Sequence, residues 1–404
     1  MSQKKILINP KNMIPFFLGL LIPLPLFIDI STGLFVFIDY EINKPISTSA
    51  GQPVPLALFI FPIIILLKIK FREILNYVLI MLILFLLNLN LFDKLEFVRY
   101  LSLIIIPIFF YISYDFSKKD YNSFSKGYLN GFLIFLILHF FSFFINSLDS
   151  LSLIDNFKFG GRNFFGFEIY QFYVSFSAVI SFLVSTLIFL YILKVKNKQF
   201  LIPLIFLCFF EIFLTLRKAA MLDIFLTVIL VFFFIILSNK KSILTFRNLF
   251  FISVFSYIFY LIYTTVDSIR GVSVVESVAQ RDGAYLIFFQ ILENLSINQI
   301  LFGFEQGWGG YSNLFIEIFL RSGLFGFLPF FLSVFYFLRK FLSQCTIKIQ
   351  YDIKYKTLIN FYLLFIILSF LISNVVNMNF ILPYYTINVI CIILLFGSKL
   401  KSSI

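Results

Sequence analysis

Apolar runs of about 20 residues recur along the chain from Met13 to Phe396, with only short polar breaks between them. A helix of that length matches the hydrocarbon thickness of a bilayer, because each helical residue advances about 1.5 Å. Hydrophobic residues make up 61% of the 404 residues and charged residues 13%, against about 45–50% and about 25% in soluble domains. The sequence therefore predicts an all-α, polytopic membrane protein with a single integral membrane domain over residues 1–404.

The apolar runs, bounded by charged or turn residues, predict about twelve transmembrane helices. Their expected positions are 13–38, 53–67, 74–92, 97–114, 128–147, 169–193, 200–216, 219–237, 249–266, 313–338, 357–373 and 383–397. The first run follows lysines but lacks a small-residue cleavage site, so it is predicted to be a retained helix and not a signal peptide.

Alternating the loops between these helices places most of the 32 lysines and arginines on one side. The positive-inside rule makes that side the cytoplasm, with both termini inside and an even number of spans. The net charge of +12 is thereby explained by orientation in the membrane, and a nucleic-acid partner is not expected.

Three intervals on the opposite side are long enough to build a site, namely 39–52, 148–168 and 264–312. The last is the longest and connects spans 9 and 10. Within it, apolar residues recur at helical spacing and polar residues occupy the other side, which is typical of a helix lying along the interface. The apolar set is Ala284, Ile287, Phe288, Ile291 and Leu292. This interval is predicted to cap a membrane-embedded cavity.

Most basic residues predicted on the outward side are arginines, against the topology rule. They are Arg99, Arg162, Arg217, Arg270, Arg281 and Arg321, with Lys44, Lys94, Lys158 and Lys218. A guanidinium binds phosphate oxygens through two hydrogen bonds, which suits a lipid-linked pyrophosphate. The alternative is that these side chains reach the headgroups or pair with nearby acids.

Arg217 lies between two acids in apolar runs, Glu211 and Asp223, each six residues away. Acids inside a membrane are candidates for function. The simpler expectation, which we favour, is that they neutralise Arg217 and Lys218.

The stretch from Arg281 to Gly326 contains an arginine, a helix ending in LFGFEQGWGG, and then YSNLFIEIFLRSGLFGFLPFF. It resembles the outer loop and following helix shared by O-antigen polymerases of the Wzy type and O-antigen ligases. The residues that match the pattern are Arg281, Gly303, Asn313, Gly323 and Gly326, and LRKAAML around Arg217 resembles an upstream element of the same superfamily. The resemblance covers about a fifth of the chain.

The resemblance implies a GT-C-like fold and a polymerase that joins undecaprenyl-pyrophosphate-linked oligosaccharide repeat units. The reaction would take place on the outer face of the bacterial cytoplasmic (inner) membrane, without a cofactor or metal, alongside a chain-length regulator and a flippase. Arg217 and Arg281 would bind the leaving pyrophosphate. The residues expected to contact substrate are Arg162, Arg270, Lys218, Asn313, Gly303 and Ser312.

Ligases of the superfamily carry a histidine before the asparagine, where this chain has Ser312. The only histidine, His139, lies in the middle of a predicted span and is interpreted as a packed, hydrogen-bonded core residue. The polymerase is therefore favoured over the ligase. The general base stays open among Asp282, Glu305 and Glu168.

A repeat-unit flippase is the alternative from another class, because such transporters also have about a dozen spans. Transporters usually contain related halves, and residues 1–200 and 201–404 show no such similarity.

Overall fold

The computed structural model describes the chain in segments. They are residues 10–28, 52–59, 121–148, 163–164, 167–168, 170–192, 198–215, 218–238, 246–270, 286, 288–303, 316, 319–320, 323–325, 327–328, 353–377 and 383–403.

The described part is mainly α-helical. The helices are α1 Pro10–Leu21, α2 Tyr121–Leu148, α3 Tyr170–Ile192, α4 Lys198–Thr215, α5 Lys218–Ser238, α6 Phe246–Arg270, α7 Ile297–Phe302, α8 Ile353–Asn377 and α9 Pro383–Ser403. Two short antiparallel pairs of strands accompany them, β1 Pro25–Ile28 with β2 Gln52–Pro55 and β3 Asn163–Phe164 with β4 Phe167–Glu168. A 3-10 turn over Leu56–Phe59 follows β2.

Helices α2 to α6, α8 and α9 lie on seven of the twelve intervals predicted as spans, so the helical prediction is confirmed there. Two of them contain a stretch long and apolar enough to cross a membrane, Ser123–Ile145 in α2 and Ala219–Leu237 in α5. Shorter apolar stretches occupy the other five. The intervals 74–92 and 97–114 lie outside the described residues, as does most of 313–338.

The expectation of a continuous first helix over 13–38 is wrong. Helix α1 ends at Leu21, and the chain then forms strand β1. Pro23 and Pro25 explain the change, because proline has no amide hydrogen to donate and disfavours helical backbone in the residue before it.

The second predicted span, 53–67, likewise starts as strand β2 and not as α-helix. Pro25 pairs with Pro55 and Ile28 with Gln52, so the two strands join the ends of the interval 29–51. A hydrogen bond of 2.8 Å from the Leu56 amide to the Leu24 carbonyl extends this pairing.

The start of the longest outward interval also differs from the prediction. Helix α6 continues to Arg270, so the interval begins after residue 270 and not at 264. The hydroxyls of Thr264, Thr265 and Ser268 bond to backbone carbonyls one turn earlier, which satisfies these polar side chains within the helix.

The described helices expose many large apolar side chains, and several polar side chains lie within their mainly apolar interior. On α2, Phe141 and Phe144 are each 55% exposed, whereas His139 and Ser142 are buried. On α4, Phe206 is 76% exposed while Glu211 is fully buried. Large exposed apolar side chains around buried polar ones fit helices that face lipid.

Helices α1 and α2 cross at backbone contact distance through three glycines. A Cβ on Gly127 would meet the carbonyl of Phe16, and one on Gly131 would meet the carbonyl of Leu20. From the other side, a Cβ on Gly19 would meet the carbonyl of Phe124. Gly127 and Gly131 form a G-x-x-x-G pair, the spacing that allows close approach between membrane helices.

Helix α9 connects the bundle to the turn after α1. The Tyr384 hydroxyl donates to the Pro23 carbonyl at 2.7 Å, and the Tyr128 hydroxyl of α2 donates to Asn388 Oδ1 at 3.0 Å. Tyr362 of α8 stacks on Phe396 of α9 with ring centres 3.7 Å apart. These contacts join α2 and α8 to α9, and Tyr362 also lies 3.0 Å from the Thr186 hydroxyl of α3.

Candidate functional site

The candidate site is built around the hairpin of α4 and α5. Helix α4 ends at Thr215 and α5 begins at Lys218, so only residues 216–217 connect them. Glu211 lies four residues before the end of α4, and Asp223 lies five residues after the start of α5. Both acids are therefore about 6–8 Å along the axis from the connected ends of the hairpin.

Glu211 contacts the histidine of α2. Glu211 Oε2 lies 2.6 Å from His139 Nδ1, and the two side chains are 0% and 1% exposed. The His139 ring also packs on Phe176 of α3, with centres 4.8 Å apart. The interpretation of His139 as a packed, hydrogen-bonded core residue is confirmed. Removing either partner from such a buried pair would leave a polar group without compensation.

Asp223 faces α3. Its Oδ2 accepts a hydrogen bond from the Ser181 hydroxyl at 2.9 Å. One turn further along α5, Thr227 Oγ1 lies 2.7 Å from Ser185 Oγ and 2.8 Å from the Asp223 carbonyl. All four side chains are buried, so α3 and α5 meet through a polar strip inside the bundle.

Among the described residues, Glu211 Oε1 has no hydrogen-bond partner, whereas the Asp223 carboxyl also lies beside the Ser369 hydroxyl of α8. Arg217 lies outside them, and the side chain of Lys218 does as well. The expected neutralisation of Arg217 and Lys218 by these acids therefore stays a prediction. The structure adds His139 and Ser181 as partners that the sequence analysis did not assign.

The opposite side of the hairpin borders an apolar cavity. The cavity has a volume of about 220 Å³, lies between α4, α5 and α6, and is lined, among the described residues, by aliphatic, aromatic and methionine side chains. We call it the α4–α6 groove. Its residues are Phe209, Ile212, Met221, Ile224, Phe225, Val228, Phe255, Ile258, Phe259 and Ile262. The hairpin thus has a polar inner side and an apolar outer side.

The interval that follows α6 contains a second, smaller cluster of packed residues. Residues 288–294 are helical, with Phe288 and Ile291 packed on Ile316 and Leu320. Gln290 and Glu293 are exposed, as expected for the polar face of the predicted amphipathic helix.

Helix α7 follows at once, and a capping box starts it. The Ser296 amide donates to Gln299 Oε1 at 2.9 Å, and the Gln299 amide donates to Ser296 Oγ at 3.4 Å. Together these bonds satisfy two amides that the helix itself leaves free.

Two glycines of the resemblance meet at the end of α7. Gly303 has φ 97° and Gly323 has φ 56°, both in the region that favours glycine. A Cβ on Gly323 would meet the Leu301 carbonyl and would lie 2.6 Å from the Gly303 amide nitrogen. Phe302 and Phe325 stack beside this contact with centres 5.2 Å apart. The backbone approach therefore requires glycine at position 323.

The other predicted site residues are not placed by the structure. Those outside the described residues are Arg162, Arg217, Arg281, Asp282, Glu305, Ser312 and Asn313. Arg270 ends α6, Lys218 starts α5 and Glu168 ends β4, and their side chains are not described.

The polar strip between α3 and α5 was missed by the sequence analysis, although a signal exists. Ser177, Ser181 and Ser185 recur every four residues in α3, and Asp223 and Thr227 have the same spacing in α5. Residues four apart lie on one face of a helix, so both helices present a polar line.

Within the described ranges, no group of three or more histidine, cysteine, aspartate or glutamate side chains is arranged to hold a metal ion.

The described helices, with their apolar exterior and buried polar groups, are compatible with a helical membrane protein. Comparison with protein-family models, with characterised proteins and with solved structures finds no match to this chain.

Proposed function

We propose that this protein is a polymerase that joins undecaprenyl-pyrophosphate-linked oligosaccharide repeat units into a surface polysaccharide. The observation that carries the proposal is the Arg281–Gly326 resemblance, together with the contact of two of its residues. Gly303 and Gly323 are 20 positions apart and pack backbone to backbone, each with a positive φ. A pattern of glycines at these positions is what such a contact would need, which supports reading the motif as one folded unit.

In the proposed reaction, the reducing-end sugar of the growing chain breaks its bond to the lipid pyrophosphate. A hydroxyl of a new lipid-linked unit attacks that sugar and forms the glycosidic bond. Arg217 and Arg281 bind the pyrophosphate as it leaves and neutralise the charge that grows on it. Asp282 or Glu305 accepts the proton of the attacking hydroxyl.

The remaining residues take substrate-binding roles in this scheme. Arg162, Arg270 and Lys218 add positive charge around the sugar phosphate, and Ser312 and Asn313 offer hydrogen bonds to sugar hydroxyls. The exposed apolar faces of the helices admit the polyprenyl tails from the bilayer.

The proposed topology has about twelve spans in the bacterial cytoplasmic membrane, with both termini in the cytoplasm. In this arrangement the α4–α5 connection and the interval after α6 both face outward. Arg217 and Arg281 would then lie at the same membrane surface, where a lipid pyrophosphate headgroup resides.

The test is the size distribution of surface polysaccharide in a host that lacks this protein. Restoring the wild type should convert single repeat units into a ladder of lengths. Arg281→Ala should restore only single units or short chains, whereas Arg247→Ala, at the end of α6 that is predicted to be cytoplasmic, should restore the ladder. Normal chain lengths with folded Arg281→Ala protein would remove Arg281 from the site.

The same experiment separates the alternatives. Complete polymer retained on its lipid carrier in the deficient host would indicate a ligase. Single units held on the cytoplasmic leaflet would indicate a flippase and would exclude the polymerase.

A further inference from the structure

We infer that the α4–α6 groove binds the hydrocarbon tail of the lipid-linked substrate, an inference that rests on the proposed function. The groove is formed by three consecutive helices, and all of its described lining residues are apolar. An apolar cavity of this kind excludes water, and one of about 150 Å³ in another protein stays dry and binds benzene. At about 220 Å³, the groove has room for a hydrocarbon segment.

The groove has a closed floor and an open rim. Met221 on α5 is buried, while Ile258 on α6 is about half exposed. Helix α6 is attached to α5 through Phe225, which stacks on Phe255 and Phe259 with centres 5.4 and 4.2 Å away. The ring contacts keep the two helices together without filling the space beside them, so a chain can enter from the lipid side.

The position of the groove along α5 indicates the charge of the occupant. Its lining begins at Met221, three residues after Lys218 at the start of the helix, and ends at Val228. Along α5 the groove thus spans about 10 Å and begins about 5 Å from the end of the hairpin where Arg217 and Lys218 lie in sequence. Cations at the surface end and hydrocarbon below match an amphiphile with an anionic phosphate head.

The test uses the full-length protein in phosphatidylcholine nanodiscs and a polyprenyl diphosphate with a diazirine on its tail. Mass spectrometry after illumination should find the label on peptides from α4, α5 and α6. Undecaprenyl diphosphate in excess should reduce this labelling at least tenfold, whereas phosphatidylglycerol at the same concentration should leave it unchanged.

Two variants fill the groove, Val228→Trp from α5 and Ile262→Trp from α6. Either should reduce labelling at least tenfold and shorten the polymer in the deficient host. Ile235→Trp is the matched control, because Ile235 is exposed on the same helix outside the groove and should change neither measurement. Monodispersity in detergent shows which variants are folded.

Several results would overturn the inference. They are label outside these three helices, equal competition by phosphatidylglycerol, or normal labelling and polymer length in both folded groove-filling variants. In each case the polymerase proposal would stand if the wild type still forms the ladder. Specific labelling of a protein that forms no ladder would instead overturn the proposed function and keep the groove as a site for a polyprenyl anion.

Discussion

The two sides of helix α5 contact the rest of the protein in different ways. Towards α3, Asp223 and Thr227 are buried and meet hydroxyls at 2.7 to 2.9 Å. Towards α6, rings stack and a groove stays open beside them. Hydrogen bonds are directional and fix one arrangement, whereas apolar contact is not directional and tolerates several. The inner side therefore sets the position of the hairpin, and the outer side can adapt to a ligand.

The largest effect is expected from the buried pair on the inner side. His139→Leu leaves the Glu211 carboxyl buried without its partner, which should destabilise the protein by about 3–5 kcal/mol. The loss of stability is measured by thermal unfolding in detergent, monitored as the disappearance of monodisperse protein.

The matched control for that pair is the double variant His139→Leu with Glu211→Leu. It should recover much of the lost stability, because an apolar pair of similar volume often replaces a buried ion pair without loss. If the single variant His139→Leu were as stable as the wild type, the inner side would not fix the hairpin.

The next effect is expected at the crossing of α1 and α2, where glycines meet backbone carbonyls at close distance. Gly131→Val places side-chain atoms against the Leu20 backbone and should cost about 1–3 kcal/mol or more, as overpacking does. Asn130→Val, at the exposed neighbouring position, should be close to neutral. The same thermal assay compares the two variants. If Gly131→Val were as stable as Asn130→Val, the two helices would not be in close contact at this crossing.

The contact between Gly323 and the end of α7 lies outside the hairpin, in the interval that follows α6. Gly323→Ala should weaken this unit by about 1–2 kcal/mol, because alanine disfavours a positive φ and its Cβ meets Leu301. We expect faster protease cleavage within residues 286–328 and shorter polymer, with the thermal stability of the bundle unchanged. Unchanged cleavage would show that the contact does not organise the interval.

The smallest effect is expected from a single hydroxyl of the polar strip. Thr227→Val removes the contacts with Ser185 and the Asp223 carbonyl while keeping the shape, and hydrogen bonds between membrane helices average about 0.6 kcal/mol. A shift of the thermal midpoint larger than that of His139→Leu would reverse the order of importance on the inner side.

Much of the helical fold could be predicted from the sequence. Seven intervals were placed correctly because long apolar runs leave the backbone no partner in lipid except its own carbonyls. The prediction of the first span was wrong because it extended an apolar run through Pro23 and Pro25, where the helix ends.

The candidate site was less predictable. For Glu211 the sequence analysis considered only neighbours in sequence and missed His139, which is 72 positions away and is brought to Glu211 by the packing of α2 on α4. The groove gives no sequence signal, because isoleucine and phenylalanine look the same whether they fill a core or surround a space. Gly303 and Gly323 were found through the resemblance, and their contact could not be derived from spacing.

The glycine crossing of α1 and α2 has a consequence for biosynthesis. The carbonyls of Phe16 and Leu20 fit against Gly127 and Gly131, more than a hundred residues later in the chain. The ribosome therefore completes α1 well before its partner surface exists, and α1 must wait in the insertion machinery or in lipid until α2 arrives. Nascent chains arrested before residue 121 should leave α1 unpartnered at this surface, so α1 is among the helices that assemble late.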